Sequence, residues 1–280
     1  MLRSGQSLAR LDRVTAGFTF AFRRSSVSFV PMDFELWRWA MFALAALIIG
    51  LSKSGVPGLG ILNVAIFQIL MESKEAVGFG LPLLIAGDLC ALLIYRKHAE
   101  WKHIVRLVPW AVAGVVIGWL TLGAMQENQA RLVISIVLAV MLCLHVLREK
   151  YPKRVNEALP HSYGAAATIG VIAAFVSTLA NAAGPIMILF LLSMRLPKMA
   201  FMGTSVYFFT FLNIFKVPFL HEQGLVNWGS LEANLKLLPF VLLGSVCGYL
   251  FAKKISQAWF ERIAFWLTVA AVAYMLFISF

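Results

Sequence analysis

The chain alternates between long apolar runs and short polar connections. Several of the apolar runs approach or exceed the ~20 residues that a helix needs to cross a bilayer. We therefore predict an all-α polytopic membrane protein with about 8–10 membrane segments. The apolar blocks are 36–71, 76–95, 103–122, 131–147, 164–194, 201–220, 231–250 and 260–280.

The composition agrees with this pattern. Of the 280 residues, 61% are hydrophobic and 13% are charged, whereas a soluble domain is roughly half apolar and a quarter charged. Once the blocks are removed, no large soluble domain remains.

Two of the blocks, 36–71 and 164–194, are too long for one simple span. Each is interrupted by polar residues and by a Gly/Pro pair. A shift of 127 positions aligns LSKSGVPG (51–58) with TLANAAGP (178–185). The two interruptions are therefore predicted to be equivalent.

Further matches follow in the same order. The shift of 127 also aligns Trp101 with Trp228, and a shift of 130 aligns PWAVAGVVIG (109–118) with PFVLLGSVCG (239–248). A weaker match, at a shift of 124, aligns KEAVGFG with PKMAFMGT. The chain thus reads as two homologous halves whose broken or re-entrant helices meet near the midplane.

The predicted organisation has four parts. A basic arm (1–35) precedes the first membrane repeat (36–147), a charged linker (148–162) follows, and the second repeat (163–280) ends the chain. The arm fits a secretory signal poorly, and Met32, just before the first span, is an alternative start.

The net charge of +11 lies mostly in the connections, which is typical of cytoplasmic loops and not of nucleic-acid binding. Charge counting favours loops 96–106 and 148–154 inside. If block 36–71 crosses once, the same counting leaves Lys253 and Lys254 outside, so one assignment must fail unless the second half has an extra crossing.

Three cysteines, Cys90, Cys143 and Cys247, lie inside apolar blocks without CxxC spacing. We interpret them as buried small hydrophobes rather than as a disulfide framework or a metal site. Trp101 and Trp228 are expected to anchor at the headgroup level.

Lys53 lies near the centre of block 36–71. A central lysine costs about 2.5–3.5 kcal/mol on insertion scales, so it either snorkels from a hairpin tip toward water or faces an anionic substrate. The neighbouring Pro57 favours a break in the helix. The candidate substrate-binding residues of this stretch are Ser52, Lys53, Ser54, Gly55, Gly58 and Gly60.

The equivalent stretch of the second half offers hydroxyls and an amide instead of a lysine. Such groups can hydrogen-bond sulfonate-like or carboxylate-like oxygens, but small residues also pack membrane helices together. The candidates are Ser177, Asn181 and Gly184.

Asp88 lies in the middle of its block, where a lone carboxylate is costly. It is predicted to pair with a cation, of which Lys53 is the nearest by depth, or to exchange a proton. Asn213 and Thr204 are further binding candidates, although Thr204 could equally serve packing. Lys216 either belongs to the same region or snorkels to an interface.

The histidines lack HxxxH or HExxH spacing, and no P-loop, nucleophile elbow or GxGxxG context is present. We therefore expect no metal, no cofactor and no enzymatic activity.

GLSKSGVPGLG with KEAVGFGLPLLIAGDLCALLIYRKHAEWK resembles the first half of the TauE/SafE sulfite exporter family. STLANAAGP, LPKMAFMGTS, FLNIFKVP and LPFVLLGSVCG resemble its second half. The resemblance covers roughly residues 40–280, and Pro57 stands where many relatives carry a further glycine.

The resemblance implies a multi-pass secondary carrier of the bacterial inner membrane. Its expected partners are lipids and a small sulfur-containing anion such as sulfite, sulfoacetate or another sulfonate. We expect alternating access, with proton coupling through Asp88 as a hypothesis. An anion channel, a membrane enzyme, a non-transporting accessory subunit and a homodimer all stay open.

Overall fold

The computed structural model describes residues 35–126 and 163–256, together with residues 129, 132, 133, 136, 259, 262 and 266. Within the two long ranges the chain is helical, so the predicted all-α class is confirmed. The helices are α1 (Leu36–Ser54), α2 (Gly60–Leu70), α3 (Ser73–Tyr95), α4 (Trp101–Ala124), α5 (Tyr163–Ala180), α6 (Gly184–Ser193), α7 (Lys198–Glu222) and α8 (Trp228–Lys254).

Six of these helices are long and apolar enough to cross a membrane, and α2 and α6 are short. Large apolar side chains cover their outward faces, as on α8, where Leu242, Val246 and Leu250 are more than half exposed. Such a surface suits lipid rather than water. The protein is a multi-pass membrane protein, and the predicted blocks 131–147 and 260–280 lie outside the two described ranges.

α1 and α2 form a hairpin. α1 runs in the same direction as α3, since Phe42 contacts Phe79 (ring centroids 5.1 Å apart) and Lys53, eleven residues later, contacts Asp88. α2 then turns back, because the ring of Phe67 lies 6.1 Å from that of Phe42. The tip of this first hairpin is residues 55–59.

α5 and α6 form a second hairpin. α5 runs alongside α4 in the same direction, from a close approach of Gly170 to Leu107 to one of Gly118 to Thr178. α6 turns back, because the ring of Phe190 lies 6.2 Å from that of His103, near the start of α4. The tip of this second hairpin is residues 181–183.

The helices have two shared ends. At the first end, Lys74 at the start of α3 donates a hydrogen bond to the carbonyl oxygen of Met125, just after α4. At the second end, the Glu100 amide donates to Oγ1 of Thr204 (3.0 Å), and Lys198 donates to the carbonyl oxygen of Ala252 (2.7 Å). α3 therefore runs from the first end to the second, and α7 runs in the opposite direction.

The contacts between the halves are reciprocal. α1 packs along α8, and α5 packs along α4. Gly118 of α4 closely approaches Thr178 of α5, and Gly248 of α8 closely approaches Leu51 of α1. The two glycines are separated by the shift of 130 seen in the sequence, and their partners by the shift of 127. Homology of the halves and the depth of the hairpins in a bilayer stay predictions.

The hairpin geometry removes the conflict in the charge counting. Loop 96–106 begins at the second end, and Lys253 and Lys254 close α8 at that same end. Because α2 returns to the end from which α1 started, block 36–71 makes no net crossing. The basic residues of loop 96–106 and of the end of α8 can therefore face the cytoplasm without an extra span. Loop 148–154 lies outside the described residues.

Two smaller expectations have different outcomes. Cys247 is exposed on the outer face of α8 and Cys90 is only half-buried, so the prediction of buried cysteines was wrong for both; Cys143 lies outside the described residues. Trp101 and Trp228 are exposed first residues of α4 and α8, and their headgroup position stays a prediction.

Candidate functional site

A cavity lies where the two hairpin tips meet α7. Its volume is about 70 Å³, against the ~10–15 Å³ that one water molecule needs by the same measure. It has room for a small polyatomic ion. Of the predicted site residues, its walls include Ser52, Lys53, Gly58, Gly60, Ser177, Asn181, Gly184 and Asn213.

Three predicted binding residues lie outside the cavity wall. Ser54 is fully buried, and its carbonyl oxygen accepts a hydrogen bond from Tyr95 Oη (2.6 Å). Gly55 packs against the backbone of α8, and Thr204 accepts a hydrogen bond from the loop between α3 and α4. These residues hold the surroundings of the cavity and do not line it.

Local sequence accounts for both tips. Pro57 has no amide hydrogen to continue α1, and Gly58 has a φ of 98°, which an L side chain rarely adopts. At the second tip Asn181 has a φ of 54°, and asparagine tolerates this region better than most residues. Pro185, in the first turn of α6, starts the returning helix.

Lys53 and Asp88 form an ion pair, with Nζ 2.7 Å from Oδ1. The Lys53 side chain is 13% exposed and Asp88 is fully buried, so Lys53 does not snorkel into open water. The Lys53 ammonium also lies 4.3 Å from the centroid of the Phe209 ring, a distance suited to a cation–π contact. The partner predicted for Asp88 from its depth is therefore the observed one.

The second carboxylate oxygen of Asp88 is also occupied. Nδ2 of Asn213 in α7 donates a hydrogen bond to Oδ2 of Asp88 (2.6 Å). The ion pair of the first half is thus tied to the second half by a short, buried contact.

Lys216 has no exposed surface, so the alternative that it snorkels to an interface is excluded. Its Nζ donates to the carbonyl oxygen and to Oγ of Ser177 (3.0 Å each) and to Oδ1 of Asn181 (2.8 Å). All three acceptors are neutral. The Lys216 amine therefore lies directly behind two residues of the cavity wall.

The helices that leave the two tips begin at the cavity. Gly60 opens α2 and Gly184 opens α6, and both line the wall. The first amides of a helix lack intrahelical acceptors and carry partial positive charge. Backbone amides near Gly60 and Gly184 are therefore candidate donors to an anion, whereas Pro185 has no amide hydrogen to offer.

Sequence reasoning missed some members of the wall. Asn63 of α2 and Phe209 of α7 line the cavity, and neither was predicted from the sequence as a binding residue. A lone phenylalanine in an apolar block carries no signal. The sequence did carry a signal for the burial of Lys216, since this residue lies three positions after Asn213 and hence on the same helical face.

The family model described as Sulfite exporter TauE/SafE matches residues 42–275, which is most of the chain. The chain belongs to the TauE/SafE family. The resemblance found in the sequence motifs is thereby confirmed, and this membership agrees with a membrane transporter of anions. Among curated proteins and solved structures, no match was found.

Proposed function

We propose that this TauE/SafE protein is a secondary transporter of a small sulfur-containing anion, such as sulfite, sulfoacetate or another sulfonate, in the bacterial inner membrane. The strongest support is the cavity at which Lys53, two hairpin tips and two helix N-termini converge. In transporters with broken helices, such N-termini point at anionic substrate groups.

The anion would take its hydrogen bonds from the cavity wall. Lys53 offers the ammonium hydrogens that its ion pair leaves over, and the start of α2 offers backbone amides. Ser177 offers its hydroxyl, because Lys216 donates to Ser177 Oγ and leaves the hydroxyl hydrogen to point elsewhere. Phe209 and the tips form further parts of the wall around these donors.

Alternating access suits the arrangement of the halves. The two hairpins start from opposite ends, and each packs against the fourth helix of the other half. Rocking of one such unit against the other would expose the cavity to one end at a time. The direction of transport is a separate question for flux measurements.

Asp88 is the candidate for proton coupling. It is fully buried and holds Lys53 at 2.7 Å. A proton taken up by the carboxylate would weaken this pair and free the Lys53 ammonium for the anion. Proton and anion would then bind together, as in symport.

The direct test is uptake into proteoliposomes against a panel of sulfur anions. We expect saturable uptake and counterflow, and a loss of roughly tenfold or more in Lys53→Ala, as for removal of a charge-assisted hydrogen bond. Lys236→Ala is the matched control, because Lys236 is an exposed lysine also paired with an acid, Glu232.

Other outcomes of this experiment would support other functions. Flux without saturation or counterflow would indicate an anion channel. Neither flux nor thermal stabilisation by sulfite or sulfonates would indicate an accessory subunit. Wild-type flux in Lys53→Ala would remove Lys53 from the site.

A further inference from the structure

The charges around the cavity do not cancel. Among the described residues, the charged side chains buried in the middle of the helices are Lys53, Asp88 and Lys216. Asp88 forms its ion pair with Lys53, whereas the three hydrogen-bond acceptors of Lys216 are neutral. With all three side chains ionised, the cluster carries one net positive charge.

The helix ends add little to this sum. Each tip joins the C-terminus of one helix to the N-terminus of the next, α1 to α2 and α5 to α6. Their partial charges are about −0.5 and +0.5, so they largely cancel beyond contact distance. The backbone amides supply hydrogen bonds, and the side chains set the net charge.

We infer that, with Asp88 ionised, the cavity selects monovalent sulfur anions, such as alkanesulfonates and hydrogensulfite, over divalent ones such as sulfate and, among the candidate substrates, sulfoacetate. This inference rests on the proposed transport function. While Asp88 is ionised, a monoanion neutralises the cluster of Lys53, Asp88 and Lys216, whereas a dianion leaves one uncompensated negative charge in the site. A proton on Asp88 would supply the positive charge that a dianion lacks. An uncompensated buried charge is strongly unfavourable.

The geometry also assigns the selecting charge to Lys216. The charge of Lys53 is matched by that of Asp88, so removing both leaves the sum unchanged. Lys216 lies behind Ser177 and Asn181 and acts on the anion through them, as a positioning residue.

The test compares methanesulfonate with sulfate, which differ by a methyl group in place of one charged oxygen. Exchange is measured in proteoliposomes at equal pH on both sides, so that no proton gradient contributes. We expect the wild-type protein to favour methanesulfonate by roughly tenfold or more, given the strength of charge interactions in a low-dielectric site.

A series of variants with different net charge then distinguishes the effect of the anion's charge from the effect of its size. Asp88→Asn raises the net charge by one, and we expect the ratio of methanesulfonate to sulfate exchange to shift toward sulfate by roughly tenfold. The double variant Lys53→Met with Asp88→Asn restores the net charge, and its ratio should return toward the wild-type value, whatever its absolute rate. Glu232→Gln, on the exposed pair, is the matched control and should not alter the ratio.

The wild-type protein allows a second test, which does not depend on whether a variant folds. Sulfite interconverts with hydrogensulfite near neutral pH, whereas methanesulfonate does not titrate there. Sulfite exchange divided by methanesulfonate exchange should therefore rise as the pH falls, because the hydrogensulfite fraction rises.

A failure of this inference can be distinguished from a failure of the proposed function. Exchange of sulfate as fast as methanesulfonate, or an unchanged ratio in a folded Asp88→Asn protein, would overturn the selection of monoanions while leaving transport in place. A ratio in the double variant that stays at the Asp88→Asn value would overturn the role of Lys216. Absence of exchange for every anion would overturn the proposed function, and this inference with it.

Discussion

Lys53 in the last turn of α1 and Asp88 in the middle of α3 are joined by an ion pair of 2.7 Å. The pair fixes the first hairpin tip to a membrane-spanning helix. It also keeps the cavity from holding an uncompensated carboxylate. The charge of Lys53, next to the tip, thus serves both the fold and the proposed binding of an anion.

Removing one charge of this pair should lower the free energy of unfolding far more than removing both charges. Lys53→Met leaves a fully buried carboxylate without its cation, which typically costs about 3–5 kcal/mol. Lys53→Met combined with Asp88→Leu should cost less, since no charge is stranded. Free energies of unfolding in mixed micelles measure this, and equal losses in the single and double variants would contradict it.

Lys236 and Glu232 give the matched control for this cycle. They form an exposed i,i+4 pair at 3.2 Å on α8. Removing one partner there should change stability by no more than about 0.5 kcal/mol.

Asp88→Asn should uncouple uptake from a pH gradient. An amide at this position has no proton to exchange, so accumulation above equilibrium should disappear, while Glu232→Gln should still accumulate anion. The measurement is uptake into proteoliposomes with an imposed pH gradient. Undiminished accumulation in Asp88→Asn would show that the coupling group lies elsewhere.

Gly55→Ala should destabilise the packing of the first tip on α8. A Cβ at Gly55 would lie 2.0 Å from the carbonyl oxygen of Gly248, and backbone cannot move aside as a flexible side chain can. Overpacking of this kind costs about 1–3 kcal/mol. Gly164→Ala is the control, because no atom outside its own stretch of helix lies within 4 Å of its Cβ position, and thermal unfolding should show little change or a slight gain.

Asn181→Gly should be tolerated better than Asn181→Ala, against the usual order in helical proteins. Both lose the hydrogen bonds to Val77 and Lys216, but alanine also has to adopt a φ of 54°, at about 1–2 kcal/mol. Thermal stability ranks the two variants. A more stable alanine variant would show that the tip relaxes out of this conformation.

Arg195 separates backbone strain from lost contacts. It has a φ of 52° but is exposed. Arg195→Gly should therefore keep or raise stability, since it relieves the same strain.

Much of the site could be read from the chain because membrane burial makes polar residues conspicuous. Lys53, Asp88, Asn181 and Asn213 stand out in apolar blocks, where an unpaired polar group is costly, and the structure brings all four to one cavity or its immediate border. Ser54, Gly55 and Thr204 are likewise small or polar residues within apolar blocks, but they contact neighbouring helices and loops instead of the cavity. Composition does not encode the direction of a side chain around a break.

By itself the sequence determined the all-α membrane class, the two matched interruptions and the polar residues near them, because hydropathy and Gly/Pro breaks act over a few neighbouring residues. Only the tertiary structure decided that each broken segment folds back, that α3 and α7 run in opposite directions and that Lys216 lies behind Ser177. These relations depend on contacts between residues about 40 to 130 positions apart in the chain, such as Lys216 with Ser177 and Asp88 with Asn213. Local chemistry names the groups that must be satisfied. Long-range packing selects the partner that satisfies each one.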